Sequence, residues 1–503
     1  MKMKKYMIVL ALGAVGFTSC KKILDVNTDP DNANAGQATP QLVFPAAVAS
    51  AAGRIGGDLA ILGGIWAQHY TQNTTSSQYR AIDAFNLSKT DFGASTTSSP
   101  WAELYSGSLN DLNFVIKKAE EQKNWNYFLM GTVIKAYTMQ VLVDLYDKIP
   151  YSEAFQGSSN LAPKFDDGYA VYTGLLAEID AALDKDFTAS TNAPAGPLDF
   201  IFPEAATTWT INPWKQFANT LKLKMYLRMV YAKPAEAQAG IEALYASGAE
   251  FLDRDAKMQN FEDAPDKSNP MYEYNFRKLN TDANLKASYT FLSWLEQNGD
   301  PRTDDYFLPK TGGTPTQFFA IHQGDYLNTD AAFNVASKAN ISPTDPVDFI
   351  SLSESHFLQA EALERFFNGA GAKEQYDAGV TASFARYGDN PVPFITGAGR
   401  YVYPAGGTFA QKLEAIIVQK WASLVGSHSL EAFFERNRTG FPSTSPVYST
   451  NVAYVPGTFV YPKNGVTNGM FAKRLIFPDI ERSKNPNTPP EEPVTKEVWW
   501  DVN

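Results

Sequence analysis

Apolar residues recur along most of this chain three and four positions apart, the period of helices that turn one face inward. Leu413, Ile417, Trp421 and Leu424 lie four, four and three apart, and His356, Ala360, Leu363 and Phe367 lie four, three and four apart. The pattern predicts a helical hairpin over 101–121 and 124–146 and a further helix over 169–184. It predicts a second pair over 214–231 and 235–246, divided at Pro234, and helices over 352–367, 373–386 and 409–437. The Ala-rich stretch 40–73 predicts one or two more. Glu361 and Glu364 fall off the apolar stripe and are assigned to the solvent face. No alternating run is long enough for a large sheet. The expected fold is all-α, an irregular helical fold with tetratricopeptide-like hairpins in which small and aromatic residues alternate. No strict 34-residue repeat emerges.

The interruptions carry as much meaning as the helices. Residues 78–100 and 251–345, and the Pro-rich tail from 441, lack a helical period and mix Asp, Asn, Thr and aromatics. Long irregular loops on a rigid helical frame are where binding function concentrates. Residues 24–41 are polar and read as a tether. The expected organisation is a signal over 1–19, a tethered N-terminus over 20–40, and one helical domain over 41–503.

The N-terminus has its own logic. Lys2, Lys4 and Lys5 precede an eleven-residue apolar run, 7–17, too short to span a membrane and suited to a secretory signal. Cys20 follows Thr18 and Ser19 and is the only cysteine among 503 residues. Having no disulfide partner, it is assigned as the lipidation site of a lipoprotein signal, with Phe17 standing where Leu is usual. An ordinary cleaved signal with an incidental cysteine is the alternative. Several acyl chains on one residue, at about 0.8 kcal/mol per buried methylene, would anchor the protein firmly. No second spanning segment is expected after the signal. Lys21 and Lys22 follow the cysteine.

Charge narrows the partners. Lys and Arg number 43 against 54 Asp and Glu, a formal net charge of −11. With no basic cluster beyond the N-terminus, nucleic acid is excluded as a partner. Aromatics make up 13 % of the chain, enough to fill a core and still supply exposed stacking surfaces.

Catalytic signatures are missing. There is no phosphate-binding loop, nucleophile elbow or zinc-protease helix. His69, His322, His356 and His428 are scattered, and His356 is expected to be a satisfied core residue, so no metal site and no cofactor are expected. "DVNTDPD", 25–31, has calcium-loop spacing at Asp25, Asn27 and Asp29. Pro30 stands where the turn glycine belongs, and a solvated loop is the reading adopted. Two carboxylates could still meet from distant loops, as glycoside hydrolysis requires.

Five segments share one resemblance. They are "DLYDKIPYSEAF" (144–155), "NGDPRTDDYF" (298–307), "FLQAEALERFFNGAGAKEQYDAGVTASF" (357–384), "IIVQKWASLVGSHSLEAFFERNRTGFP" (416–442) and "KRLIFPDIERSKN" (473–485), before a closing "VWWDVN". In this order behind a lipoprotein signal, they resemble the SusD/RagB-type nutrient-binding lipoproteins over essentially the whole mature chain. Asp147–Lys148 departs from the Gly-Asp of that family's turn. The resemblance implies a non-catalytic outer-membrane lipoprotein, lipid-anchored and facing the cell surface. It would capture a nutrient, an oligosaccharide first among the candidates. It also implies a SusC-like TonB-dependent β-barrel transporter as partner, over which the lipoprotein closes as a lid. A lipid-anchored glycosidase and an oligopeptide-binding scaffold are the alternatives. Arg438, Thr439 and Gly440 are read as structural: a forked donor for a buried carboxylate or carbonyl, and a glycine for a backbone angle other residues resist.

Sugar rings stack their C–H faces on aromatics and need polar side chains to fix their hydroxyls. The ligand site is therefore expected from two loop regions: Tyr70, Tyr79, Arg80 and Phe85 in the first, and Tyr272, Tyr274, Arg277, Phe318 and Phe319 in the second. The competing reading packs these rings into loop core.

Overall fold

The computed structural model describes residues 38–88, 100–190, 196–281 and 284–503. The signal, Cys20 and the "DVNTDPD" turn lie outside the described residues. Helices dominate: α1 (Pro40–Ile55), α2 (Asp58–Trp66), α3 (Asn110–Glu121), α4 (Trp125–Tyr146), α5 (Gly168–Leu183), α6 (Asn212–Arg228), α7 (Pro234–Ala246), α8 (Tyr289–Asn298), α9 (Leu352–Phe366), α10 (Ala372–Ala385), α11 (Phe409–Ser423) and α12 (Ser429–Thr439), with shorter turns between them. Among the described residues six short strands make three two-stranded sheets: β1 (Tyr70–Gln72) with β5 (Leu285–Ala287), β2 (Lys148–Ile149) with β3 (Asp166–Asp167), and β4 (Ala256–Met258) with β6 (Val347–Ile350).

Neighbours in sequence pack as hairpins: α3 on α4, α6 on α7, and α9 on α10. Local signals set the ends. Asn124 accepts from the Tyr127 N–H at the start of α4, and Ser351 accepts from the Glu354 N–H at the start of α9. Thr408 and Gln411 form a reciprocal capping box at α11. Pro234, read as a break, sits in the first turn of α7, where its missing N–H costs nothing.

The core runs through the helical layer. Phe44 meets Tyr127 and Trp214 edge-on, each at 5.7 Å between ring centroids. A smaller cluster of Leu223, Leu227, Ile241, Leu244, Leu358 and Ala362 joins α6, α7 and α9. Pro40–Trp66 and Trp125–Tyr146 are, by length and composition alone, apolar enough to cross a membrane. Here 72 % and 89 % of those apolar stretches are buried inside the fold.

Three helical expectations need correction. The stretch 409–437 is two helices, because Gly426 adopts φ +86° between α11 and α12. The buried side of α9 is carried by Ser353, Glu354, Ser355, Phe357, Leu358, Ala360, Glu361 and Ala362. Of the predicted stripe, only Ala360 is fully buried; His356 is half-buried with its Nδ1 2.7 Å from Gln375 Oε1. Glu361 is buried and Glu364 half-buried, neither on a solvent face. The cause is charge pairing: Arg438 takes Glu361, while Tyr403 and Lys412 take Glu364.

Candidate functional site: an aromatic arc on the loop layer

The irregular region is built on β5. One edge of β5 pairs antiparallel with β1, Tyr70 opposite Ala287 and Gln72 opposite Leu285. The other edge receives loop backbone through Lys286–Lys338 and Ser288–Ile321 bridges. The Tyr289 N–H donates to Ile321 O at 2.8 Å, and the Ser337 N–H to Phe319 O at 2.8 Å. These contacts bring Tyr289, the 319–322 segment and Phe333 together.

Half-buried rings line up there. Tyr289 lies 4.4 Å from His322 and 6.0 Å from Tyr454, measured between centroids. His322 lies 6.0 Å from Tyr448 and 6.3 Å from Phe333, which lies 5.4 Å from Phe319. Each ring keeps part of its surface in solvent. Two hydroxyls are spent on the scaffold: Tyr448 donates to Gln323 O and Tyr454 to Thr458 O, both at 2.8 Å. His322 Nδ1 sits 2.9 Å from Ser449 Oγ. Burial lowers the His322 pKa, nearby Asp325 opposes, and Lys463 lowers it further. The imidazole is therefore neutral at pH 7 and presents a flat face rather than a cation.

Gln323 is the keystone beneath. Its Nε2 donates to Asp83 Oδ1 at 2.6 Å, and its carbonyl accepts from the Lys463 N–H at 3.0 Å. Asp83 also accepts from Thr71 Oγ1 and the Gln72 N–H at 2.7 and 3.0 Å. At the margin, the Arg80 guanidinium lies 5.3 Å from the centre of Tyr326 and donates to Thr74 O. Thr74 in turn reaches Asn334 Oδ1 at 3.3 Å, beside Phe333.

Of the nine expected ligand-binding residues, Phe319 lies in the arc and Arg80 at its margin. Tyr70, Tyr79 and Phe85 are buried and belong to the framework, because β1 and the following turn are covered by the loop layer. Tyr70 packs edge-on against Phe307, and Phe85 packs against Trp66, Tyr461 and Phe471. Tyr272, half-buried, stacks on Phe276 at 4.9 Å under Arg277, which is held by Ser268, Glu273 and Asp263. Tyr274 bonds Arg54 of α1, and its ring lies 4.3 Å from the Lys278 ammonium. Phe318 packs half-buried on the core. Sequence reasoning missed Tyr289, His322, Phe333, Tyr448 and Tyr454. Tyr289 opens α8 and the others lie outside the α-helices; Tyr289, His322 and Phe333 come from one stretch of the chain and meet Tyr448 and Tyr454 from more than a hundred residues further on.

The signature segments are structural. Arg302 is buried and pairs with Asp300 through Nε and Nη2 at 2.9 and 2.5 Å. Trp500 donates to Asp144 at 2.8 Å. Asp147, in place of the usual glycine, holds φ +70°, the left-handed region glycine favours, and accepts the Trp499 N–H at 2.7 Å. Gly440 caps α12 at φ +76°. Among the described residues no group of His, Cys, Asp and Glu is arranged to hold a metal ion.

A family described as "starch-binding associating with outer membrane", SusD-like, matches residues 61–462. The chain belongs to the SusD-like family. A SusD homologue from Bacteroides uniformis superposes with a TM-score of 0.73 at 21 % identity, over 92 % of this chain and 99 % of that one. A chitin-binding SusD homologue from Flavobacterium johnsoniae gives 0.72 at 22 %, over 92 % and 99 %. A homologue from Bacteroides vulgatus gives 0.69 at 19 %, over 88 % and 92 %. Among curated protein sequences nothing matches this SusD-like chain. The likeness in structure establishes the SusD fold, helical with tetratricopeptide-like hairpins.

Proposed function

We propose that this SusD-like protein captures a glycan on the arc of Tyr289, His322, Phe319, Phe333, Tyr448 and Tyr454, and does so without cleaving it. The observation that carries the reading is a contiguous run of half-exposed rings, one of them a neutral imidazole, on the loop layer of a chain whose family is described as starch-binding. Successive C–H faces of a sugar chain can lie along such a run, and Arg80 and Asn334 offer polar groups at its margin. One relative of similar fold is chitin-binding, which makes starch and chitin oligosaccharides the first ligands to try. In this reading Cys20 carries the lipid that holds the protein to the outer membrane. The captured glycan passes to a SusC-like TonB-dependent barrel, under the lipoprotein as lid, on the cell surface.

One carboxylate pair can be set aside as a glycosidase site. Asp305 and Asp389 are two carboxylates in direct hydrogen-bond contact; burial, with Asp389 and Asp304 close by, raises Asp305 to about 7. Retaining enzymes hold their carboxylates about 5 Å apart and inverting ones further, with the sugar between. A pair bonded to each other leaves no such room.

The test is calorimetry with maltohexaose and chitohexaose on wild type and on Tyr289→Ala and Tyr454→Ala. Affinity is expected to fall at least about tenfold in each variant while Tm stays near wild type. Unchanged affinity in both would move the site elsewhere, and product released from either sugar would revive the enzyme.

A further inference from the structure

Beside the arc lies a cleft of about 340 Å³ between α8, the 400–404 segment, α11 and the 455–458 loop. Gln419, on α11, lines it; the residue is 3 % exposed, and its Oε1 has no hydrogen-bond partner. A buried acceptor left unpaired costs about 1–3 kcal/mol, so a donor brought to this wall would be stabilised by Gln419. Arg400 and Glu414 line the same cleft and oppose each other in charge, while Val402, Val455 and Pro456 supply apolar wall. An anion or cation would gain from one of the charged pair and lose to the other. A neutral polyol, with hydroxyls for Gln419, Arg400 and Glu414 and C–H faces for the apolar wall, suits all of them.

One loop contributes to both the arc and the cleft. Tyr454 belongs to the arc, and Val455, Pro456, Gly457 and Thr458 line the cleft. The loop is pinned at both faces. Tyr454 Oη donates to Thr458 O, and Gly457, at φ +86°, lies so close to Trp294 that a Cβ there would meet Cδ1 at 2.5 Å. We infer that this cleft is a second sugar subsite, in which Gln419 Oε1 accepts a hydroxyl or amide hydrogen from a unit of the glycan whose neighbouring units lie on the arc. The subsite takes its ligand class from the glycan reading of the arc. It adds a length requirement, since a short oligosaccharide can fill the arc or the cleft but not both.

The experiment soaks crystals with chitohexaose and maltohexaose, and titrates the same sugars and their dimers into wild type, Gln419→Leu and Val455→Trp. Gln419→Leu keeps the side-chain size, and Val455→Trp narrows the cleft from an exposed rim position, so the fold is retained in at least one of them. The expected result is a sugar ring in the cleft with a donor within about 3.2 Å of Gln419 Oε1. Hexamer affinity should fall about five- to tenfold in both variants, with dimer affinity on the arc unchanged. A sugar on the arc alone overturns the subsite and leaves the arc reading standing. A sugar in the cleft alone, with variant affinities reduced, overturns the arc reading and with it the bridging of arc and cleft by one glycan. Density in the cleft with both variants binding as wild type means binding at crystal concentration only and overturns the subsite. Absence of either sugar from both places overturns both readings.

Discussion

Glu361 and Arg438, 77 residues apart, meet in the core through two parallel hydrogen bonds, Nη1 to Oε1 at 2.7 Å and Nη2 to Oε2 at 2.6 Å. Arg438 also holds Glu435 through Nε and Nη2 at 2.9 and 2.5 Å, and donates to Leu227 O at 3.3 Å. Glu435 then accepts from Arg228, which holds Glu431 and Asp144. Lys420 and Lys224 extend the chain of charges to Glu354. Helices α4, α6, α9, α11 and α12 are thus tied by one buried network.

Such a network turns fragile when one partner goes. Breaking a buried pair costs about 3–5 kcal/mol, because the remaining charge is left without water or partner. Arg438→Ala and Glu361→Ala should each lose that much in urea unfolding. Arg438→Lys should recover little, since an ammonium cannot reproduce the forked contact with two carboxylates. Burial pushes Glu361 up, but Arg438 and then Arg365 outweigh it and hold its pKa below the usual value. Its contribution is therefore present above that value and lost as pH falls through the folded one. A stability of Arg438→Lys equal to wild type would contradict the account.

Asp83 should act in the opposite sense. Burial raises its pKa to about 6, against the hydrogen bonds from Gln72, Thr71 and Gln323. An acid that holds its proton more tightly when folded favours the fold at low pH, and that benefit disappears as pH rises from about 4 to about 6. Two pK units correspond to about 3 kcal/mol at most. Asp83→Asn should flatten the stability profile across this range. An unchanged slope between pH 4 and 6 would show that other groups set it.

The break between α11 and α12 rests on Gly426. A Cβ there would meet nothing within 4 Å, so only the φ of +86° opposes a side chain. Gly426→Ala should cost about 1–2 kcal/mol, from the left-handed backbone alone. A thermal melt reads it directly, and no change in Tm would mean the turn relaxes freely.

The helices were legible because 3.6-residue spacing is a local signal. Leu413, Ile417, Trp421 and Leu424 are all buried as the spacing predicts. α9 misled because its inward face carries Glu354 and Glu361, and a hydrophobic stripe cannot register carboxylates buried by partners on α11 and α12. Arg438 and Gly440 were legible through chemistry: a forked donor and a left-handed cap. The arc was not. Tyr289, His322 and Tyr454 are placed by the Tyr289 N–H bond to Ile321 O, the His322 contact with Ser449 and the Tyr454 hydroxyl bond to Thr458 O, and no sequence period encodes those contacts. Tyr70 and Phe85 have the same composition around them as arc residues. Only the loops laid over β1 decide that they are core.

His322 makes the arc's last testable property one of pH. Burial, followed by Lys463, lowers its pKa from the ordinary 6.5, although Asp325 opposes. The neutral ring therefore persists through pH 6.5 and titrates below it. As pH falls through the lowered value, the ring gains a charge that holds water more tightly, and an apolar sugar face stacks on it less well. Affinity for maltohexaose or chitohexaose should be flat from pH 8 to about 6.5 and decline at more acid pH. His322→Phe keeps a flat face between Tyr289 and Phe333 but gives up the contact with Ser449. It should bind within a fewfold of wild type at pH 7 and show no acid decline. An identical decline in His322→Phe would assign the titration to another group, and a loss of all binding would mean that the Ser449 contact, rather than the ring face, is what the arc requires.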